Sequence, residues 1–192
     1  GMTEARRYAR THFGNGVVTQ CVSKEGWVRN QMQWANFHCS MLDRTGVPLD
    51  LMGELPMVFD RRDSVREATY IPATGKPYIA VNTDGFSSPF PHAKQLFAAL
   101  AVWRNRVDIV DIGKIKCHRI YDLLGIMDNA VGGIRIDSAT MHLAHACERP
   151  YIAFTQNGWL SSVPLGNCVM EVKYADFQRS LTTVLRTVEG WL

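Results

Sequence analysis

The chain reads as an α/β protein with a doubly wound, mainly parallel sheet of about five strands, preceded by a short helical and extended appendage. Three observations predict this. Short runs rich in β-branched and aromatic residues stand at 78–82, 107–112, 134–136, 151–154 and 168–172. The stretches between most of them carry apolar residues at helical spacing. Strands that alternate with helices at this distance join by right-handed crossovers, which lay the strands parallel and cover both faces of the sheet.

Each element has a local reason. The run 78–82 breaks into Thr83-Asp84-Gly85, and a loop with Ser87, Ser88, Pro89 and Pro91 follows. Leu96, Phe97, Leu100 and Trp103 then mark one face of a helix over 93–103. The second strand, 107–112, is stopped by Gly113, and the stretch 120–127 holds a short helical patch around Tyr121-Asp-Leu-Leu124. The brief third strand at 134–136 runs into Asp137-Ser138, which open a helix whose apolar positions are Met141, Leu143, Ala144 and Cys147. Pro150 ends that helix, and a fourth strand begins at once at Tyr151. A loop at Gln156-Asn157-Gly158 precedes the fifth strand. A closing helix over 175–188 follows, striped by Phe177, Leu181, Val184, Leu185 and Val188.

The first part of the chain has a different texture. Gly14, Gly16 and Gly26 interrupt it, 17–22 reads as a strand, and Met32, Trp34, Phe37 and Met41 mark a helix over 30–42. A short extended piece at 55–59 and a polar linker over 61–74 complete it. The expected organisation is therefore an appendage with linker over 1–74 and a nucleotide-binding-type domain over 75–192. Trp27, Met32, Trp34 and Phe37 admit two readings: burial against the domain's own sheet, or an apolar surface through which two copies associate.

Composition narrows the function classes. A net charge of +3, with its basic residues scattered, leaves no stripe that could track a nucleic-acid backbone. No apolar run approaches the ~20 residues of a membrane span, and no signal-peptide core is visible, so the expected setting is cytoplasmic. Five cysteines without a Cys-x-x-Cys pair read as reduced thiols rather than a disulfide framework or a zinc site. His142 and His145 stand three apart on one helix, but the His-Glu-x-x-His spacing is lacking, so no metal is expected. No Gly-x-Ser-x-Gly elbow supports a Ser/His/Asp hydrolase.

The chemistry-bearing residues gather where strands end. Asp137, Ser138, Ala139 and Thr140 occupy the strand-to-helix turn, where ligands bind in open α/β sheets because free backbone N–H groups favour an anion. Asp137 or Ser138 equally suits a plain helix N-cap. Thr83, Asp84, Gly85, Ser87 and Ser88 form a hydroxyl-bearing loop able to meet phosphate or sugar oxygens, or else an ordinary βα turn. Lys94 could neutralise a diphosphate or simply be solvated. Asn157 and Trp159, after the fourth strand, could hydrogen-bond and stack on a base or sugar ring, or Trp159 could plug the sheet.

The run Asp-Ser-Ala-x-x-His-Leu-Ala-x-Ala-x-x-x-Pro over 137–150 resembles the Asp-(Thr/Ser)-Gly-x-x-His-Leu-Ala signature of the ADP-heptose:lipopolysaccharide heptosyltransferases, glycosyltransferase family 9. Further likenesses keep the same order along the chain. Lys76-Pro-Tyr-Ile-Ala-Val-Asn-Thr83 resembles the first strand and donor-phosphate loop of that family's C-terminal domain, and 88–100 the loop and helix after it. The segment 34–59 resembles the join between the two halves of such enzymes. Ala139 stands where the family has Gly. The resemblance implies a Rossmann-like half of a GT-B glycosyltransferase that binds a nucleotide-sugar as donor substrate and needs no separate cofactor. His142 matches the signature histidine; read from the residues alone it equally suits a buried histidine hydrogen-bonded to backbone. The resemblance also implies that the acceptor site and catalytic base come from an N-terminal half or partner. The alternative is a non-catalytic module that binds a nucleotide or a protein, as a homodimer or alone.

Overall fold

The computed structural model describes Phe59 and residues 62–85, 88–144, 146–156 and 167–192. The chain divides into two units, Gly1–Glu54 and Leu55–Leu192, and every described residue belongs to the second. The elements expected over 17–22 and 30–42, and the candidates Ser87, His145, Asn157 and Trp159, lie outside the described residues.

Five strands form one sheet: β1 (Tyr78–Val81), β2 (Asp108–Asp111), β3 (Gly132–Ile136), β4 (Tyr151–Thr155) and β5 (Cys168–Lys173). Their order is β2-β1-β3-β4-β5 and every pairing is parallel. The helices are α1 (Ser64–Ala68), α2 (Ala93–Leu100), α3 (Leu124–Asp128), α4 (Ala139–Ala144) and α5 (Phe177–Glu189). Short 3₁₀ turns extend α2 through Ala101–Trp103, lead into α3 from Ile120–Leu123, and bridge Tyr174–Asp176 before α5.

Alternate residues of each strand point to opposite faces, so the sheet sorts its neighbours into two cores. On one face Ile79, Val81, Ile134, Ile136, Ile152 and Phe154 pack with Leu96 and Leu100 of α2 and with Phe177, Val184 and Val188 of α5. On the other, Tyr78, Ala80, Tyr151 and Ala153 pack with Leu124, Ile126 and Met127 of α3 and Met141, Leu143 and Ala144 of α4. This division follows from crossover handedness. The β1-to-β2 crossover runs toward one edge of the sheet and β3-to-β4 toward the other, so connections of one hand must use opposite faces. The chain is therefore a doubly wound, Rossmann-like α/β fold, as its sequence predicts.

Three local differences from the sequence pattern have physical reasons. First, β3 is longer than the expected 134–136, because Gly132 and Gly133 are part of the strand. Both are buried, and a Cβ on Gly132 would collide with the Trp191 ring. Second, α4 ends at Ala144 rather than reaching Cys147. The chain tightens there into Ala146 N–H to Leu143 C=O (2.9 Å) and Cys147 N–H to Ala144 C=O (3.1 Å) before Pro150.

Third, part of the polar stretch expected as linker forms α1. Asp63 caps it by accepting from the Arg66 N–H at 3.0 Å. Glu67 is buried and held by Arg62 through Nε (3.0 and 3.1 Å) and Nη2 (2.5 Å), while Arg62 Nη1 reaches Asp128 Oδ2 at 2.7 Å. A polar segment can dock in this way because ion pairs, not an apolar stripe, hold it. Periodicity carries no signal for that.

Among the described residues, no helix is long and apolar enough to cross a membrane.

Candidate functional site

In a sheet of order 2-1-3-4-5, the connections leaving β1 and β3 depart to opposite faces. The carboxyl ends of these two neighbouring strands therefore border a crevice, the topological switch point where such folds receive ligands. Here α2 follows β1 on one face and α4 follows β3 on the other. The crevice is bordered by Asn82, Thr83, Asp84 and Gly85 after β1 and by Asp137, Ser138, Ala139 and Thr140 after β3.

Pairing of β1 with β3 brings the two segments together. Val81 lies beside Ile134, and the Asn82 N–H donates to the Ile134 carbonyl at 2.8 Å. Asn82 Nδ2 then donates to Ser138 Oγ at 2.9 Å and to Thr140 Oγ1 at 2.6 Å, and the two hydroxyls lie 2.9 Å apart. The Asn82 carbonyl oxygen accepts from the Asp84 N–H at 3.1 Å, which turns the loop. Asn82 and Thr140 are buried, Ser138 is half-buried and Ala139 is exposed. The cluster is thus anchored from below and open at Ser138 and Ala139.

The expected loop residues divide by position. Thr83 is buried and its carbonyl accepts from the Phe90 N–H at 3.3 Å, closing the loop. Asp84 is exposed. At Gly85 a Cβ would lie 2.9 Å from Ile136 Cδ1 and 3.2 Å from the Ser88 carbonyl oxygen, so the glycine lets the loop pass close over the end of β3. Ser88 is buried and engaged elsewhere: its Oγ lies 2.9 Å from Tyr174 Oη, and Tyr174 Oη donates to the Ser88 carbonyl, also at 2.9 Å. It braces the loop against the turn before α5 instead of facing the crevice. Lys94 is exposed at the start of α2.

On the β3 side, the Asp137 N–H donates to the Phe154 carbonyl at 3.1 Å, and the Asp137 side chain is half-buried. His142 is half-buried on α4. Because α4 has only six residues, its dipole is a small part of any attraction for an anion. The hydroxyls and the amide cluster are the stronger feature.

Sequence reading passed over Asn82, Asp111 and Lys114. Asn82 looks like an ordinary strand-end residue until β1 and β3 are known to be neighbours. Asp111 ends β2, and its Oδ2 lies 3.0 Å from Lys114 Nζ, a close ion pair rather than an aligned hydrogen bond. That carboxylate holds the Lys114 ammonium above the usual lysine range. Gly113, between them, packs against Asn82 and Asp84: a Cβ there would lie 2.5 Å from Asn82 Oδ1 and 3.1 Å from Asp84 Cβ. An exposed lysine thereby stands at the rim of the crevice. The only earlier signal was the Asp-Ile-Gly-Lys spacing after a strand. Among the described residues, no three His, Cys, Asp or Glu side chains group as metal ligands.

No protein-family model matches the chain, and no curated protein matches it significantly.

Proposed function

We propose that this chain is a Rossmann-like binding module that takes a nucleotide, or a nucleotide-sugar, by its phosphates in the crevice at the carboxyl ends of β1 and β3. One observation carries the reading. Asn82, Ser138 and Thr140 form a hydrogen-bonded polar cluster at the switch point of a doubly wound sheet, with a buried base and an open side at Ser138 and Ala139. Small residues there leave room for phosphate oxygens to meet the backbone N–H groups of the turn. Thr83, Asp84 and Gly85 supply the facing wall. Ser87, Asn157 and Trp159 belong to the same proposal on their sequence positions, with Asn157 and Trp159 assigned to the base or sugar ring.

The narrower reading is the donor half of a heptosyltransferase-like glycosyltransferase. Its support is the position of the 137–144 signature, which falls on the turn from β3 into α4 at the switch point. In that role the same groups would stabilise negative charge on the departing nucleotide diphosphate. The base that activates the acceptor would come from a second half or a partner. Binding without catalysis needs none of these additions, and it is the reading the geometry supports best.

Thermal-shift titration with ADP, UDP, GDP and their sugar conjugates tests the proposal. A ligand specific for the native state, at one hundred times its dissociation constant, adds about 2.7 kcal/mol of stability. A selective shift names the nucleotide class. A flat response to all of them removes the nucleotide reading.

A further inference from the structure

Three polar side chains meet at the switch point, and counting their hydrogens fixes the direction of each bond between them. The Asn82 carbonyl oxygen takes the Asp84 N–H at 3.1 Å, so the amide nitrogen is the end turned to the hydroxyls. An amide nitrogen only donates. Asn82 Nδ2 donates to Ser138 Oγ at 2.9 Å and to Thr140 Oγ1 at 2.6 Å. The remaining link joins Ser138 Oγ and Thr140 Oγ1, 2.9 Å apart, where one hydroxyl donates and the other accepts.

Burial decides which. Thr140 is 6% exposed, and among the described residues its hydroxyl meets Asn82 Nδ2 and Ser138 Oγ alone. Asn82 Nδ2 accepts nothing, so Ser138 Oγ is the acceptor within reach of the Thr140 hydrogen. Were Ser138 to donate instead, Thr140 would bury an O–H with nothing to receive it, the expensive case for a polar group. With Thr140 donating, Ser138 Oγ accepts from both neighbours, and its own hydrogen finds no acceptor inside the cluster. Ser138 is half-buried and stands next to the exposed Ala139. Its hydrogen is therefore directed to the open side.

We propose that Asn82 and Thr140 are positioning residues that make Ser138 a one-way donor, so that the crevice takes an ionised oxyanion oxygen at this point. This rests on the crevice being a ligand site. A hydroxyl that already accepts twice can give a hydrogen bond to a ligand but has no lone pair left to receive one. The group it suits is an acceptor without hydrogens, such as a diphosphate oxygen. An ammonium or another group that has to donate is turned away. The bonds from Asn82 through Thr140 to Ser138 run in one direction, and each polarises the next.

The experiment compares the full native chain with S138A, T140V, T140S and the double variant S138A/T140V, titrated with ADP, adenosine and inorganic pyrophosphate. S138A should lose about tenfold in ADP affinity, the loss of one hydrogen bond to a charged group, with adenosine unchanged. T140V frees the Ser138 hydroxyl to rotate and should lose about threefold. T140S keeps the donor and should match the native protein. The double variant should bind ADP as S138A does, because Thr140 acts through Ser138. Should T140V fail to fold, N82D carries the comparison: its new carboxylate draws the Ser138 hydrogen inward, so adding S138A should cost no further affinity. ADP affinity unchanged in S138A, or losses that simply add in the double variant, overturns the inference and leaves the nucleotide reading standing. The same pattern with pyrophosphate, where ADP does not bind, upholds the inference and removes the nucleotide. No response of the native protein to any of the three overturns both.

Discussion

Asn82 Nδ2 and Thr140 Oγ1 lie 2.6 Å apart although 58 positions separate the residues in sequence. This contact and its companion to Ser138 tie the end of β1 to the first turn of α4 across the switch point. Removing the amide in N82A frees the Asp84 N–H from its acceptor and leaves Ser138 and Thr140 bonded only to each other. The expected cost is about 1–2 kcal/mol, read as a lower urea midpoint with an unchanged slope. N82D is the sharper test of function. Both hydroxyls can donate to its carboxylate, and the added negative charge lowers affinity for an anionic ligand at least about tenfold. Tight ADP binding by N82D would contradict the proposed site.

Tyr174 is the brace of the β1 loop. Replacing it by Phe deletes the hydroxyl that meets both Ser88 Oγ and the Ser88 carbonyl, and keeps the ring that sits 5.1 Å from Phe90. A loss of about 1 kcal/mol is expected, a fall of roughly 2–4 °C in Tm for a chain of this size. If the loop contributes to the crevice, ligand affinity falls further than Tm alone accounts for, because a slack loop must be ordered on binding. Equal affinity in native and Y174F proteins would separate this loop from the site.

Docking of α1 depends on Gly125 in α3. A Cβ there would lie 2.6 Å from Glu67 Cβ, backbone-proximal atoms that cannot swing aside. G125A should therefore destabilise by about 1–3 kcal/mol, despite the better helix propensity of alanine. Hydrogen exchange should show faster exchange confined to 62–70 and the start of α3. A stabilised G125A protein would mean that α1 does not pack on α3 in solution.

Acid stability should carry the signature of Asp122. Burial alone would raise its pKa, but the Arg119 guanidinium, 2.5 Å away, and the Arg119 N–H outweigh burial and hold the carboxyl below its ordinary value. A depressed folded-state pKa stabilises the protein above the unfolded value near 4, and that contribution is lost as pH falls through the lower folded value. Denaturation midpoints measured from pH 6 to pH 2 should fall less steeply below pH 4 for D122N than for the native chain. Parallel curves would assign the acid transition to other groups.

Much of the fold is legible along the chain because each element declares itself locally. The stripe of Phe177, Leu181, Val184 and Val188 calls for a helix against one face. The alternation in Tyr78-Ile-Ala-Val81 feeds both cores at once. The expected strand at 134–136 understates β3, because Gly132 and Gly133 carry the strand on while packing under Trp191 and Arg135. The polar run around Glu67 hides a helix because ion pairs leave no periodic trace.

The sequence by itself determined the alternation of strands and helices, their approximate limits, and the polar residues at strand ends, since all of these follow from short-range sterics and burial periodicity. Only the tertiary structure decided strand order. That order makes β1 and β3 neighbours, brings Asn82 to Ser138 and Thr140, and turns Ser88 toward Tyr174. Side-chain alternation tells a strand which face to bury and is silent about which strand lies beside it. The partners here are far apart in sequence, so their meeting depends on long-range packing that no local pattern encodes.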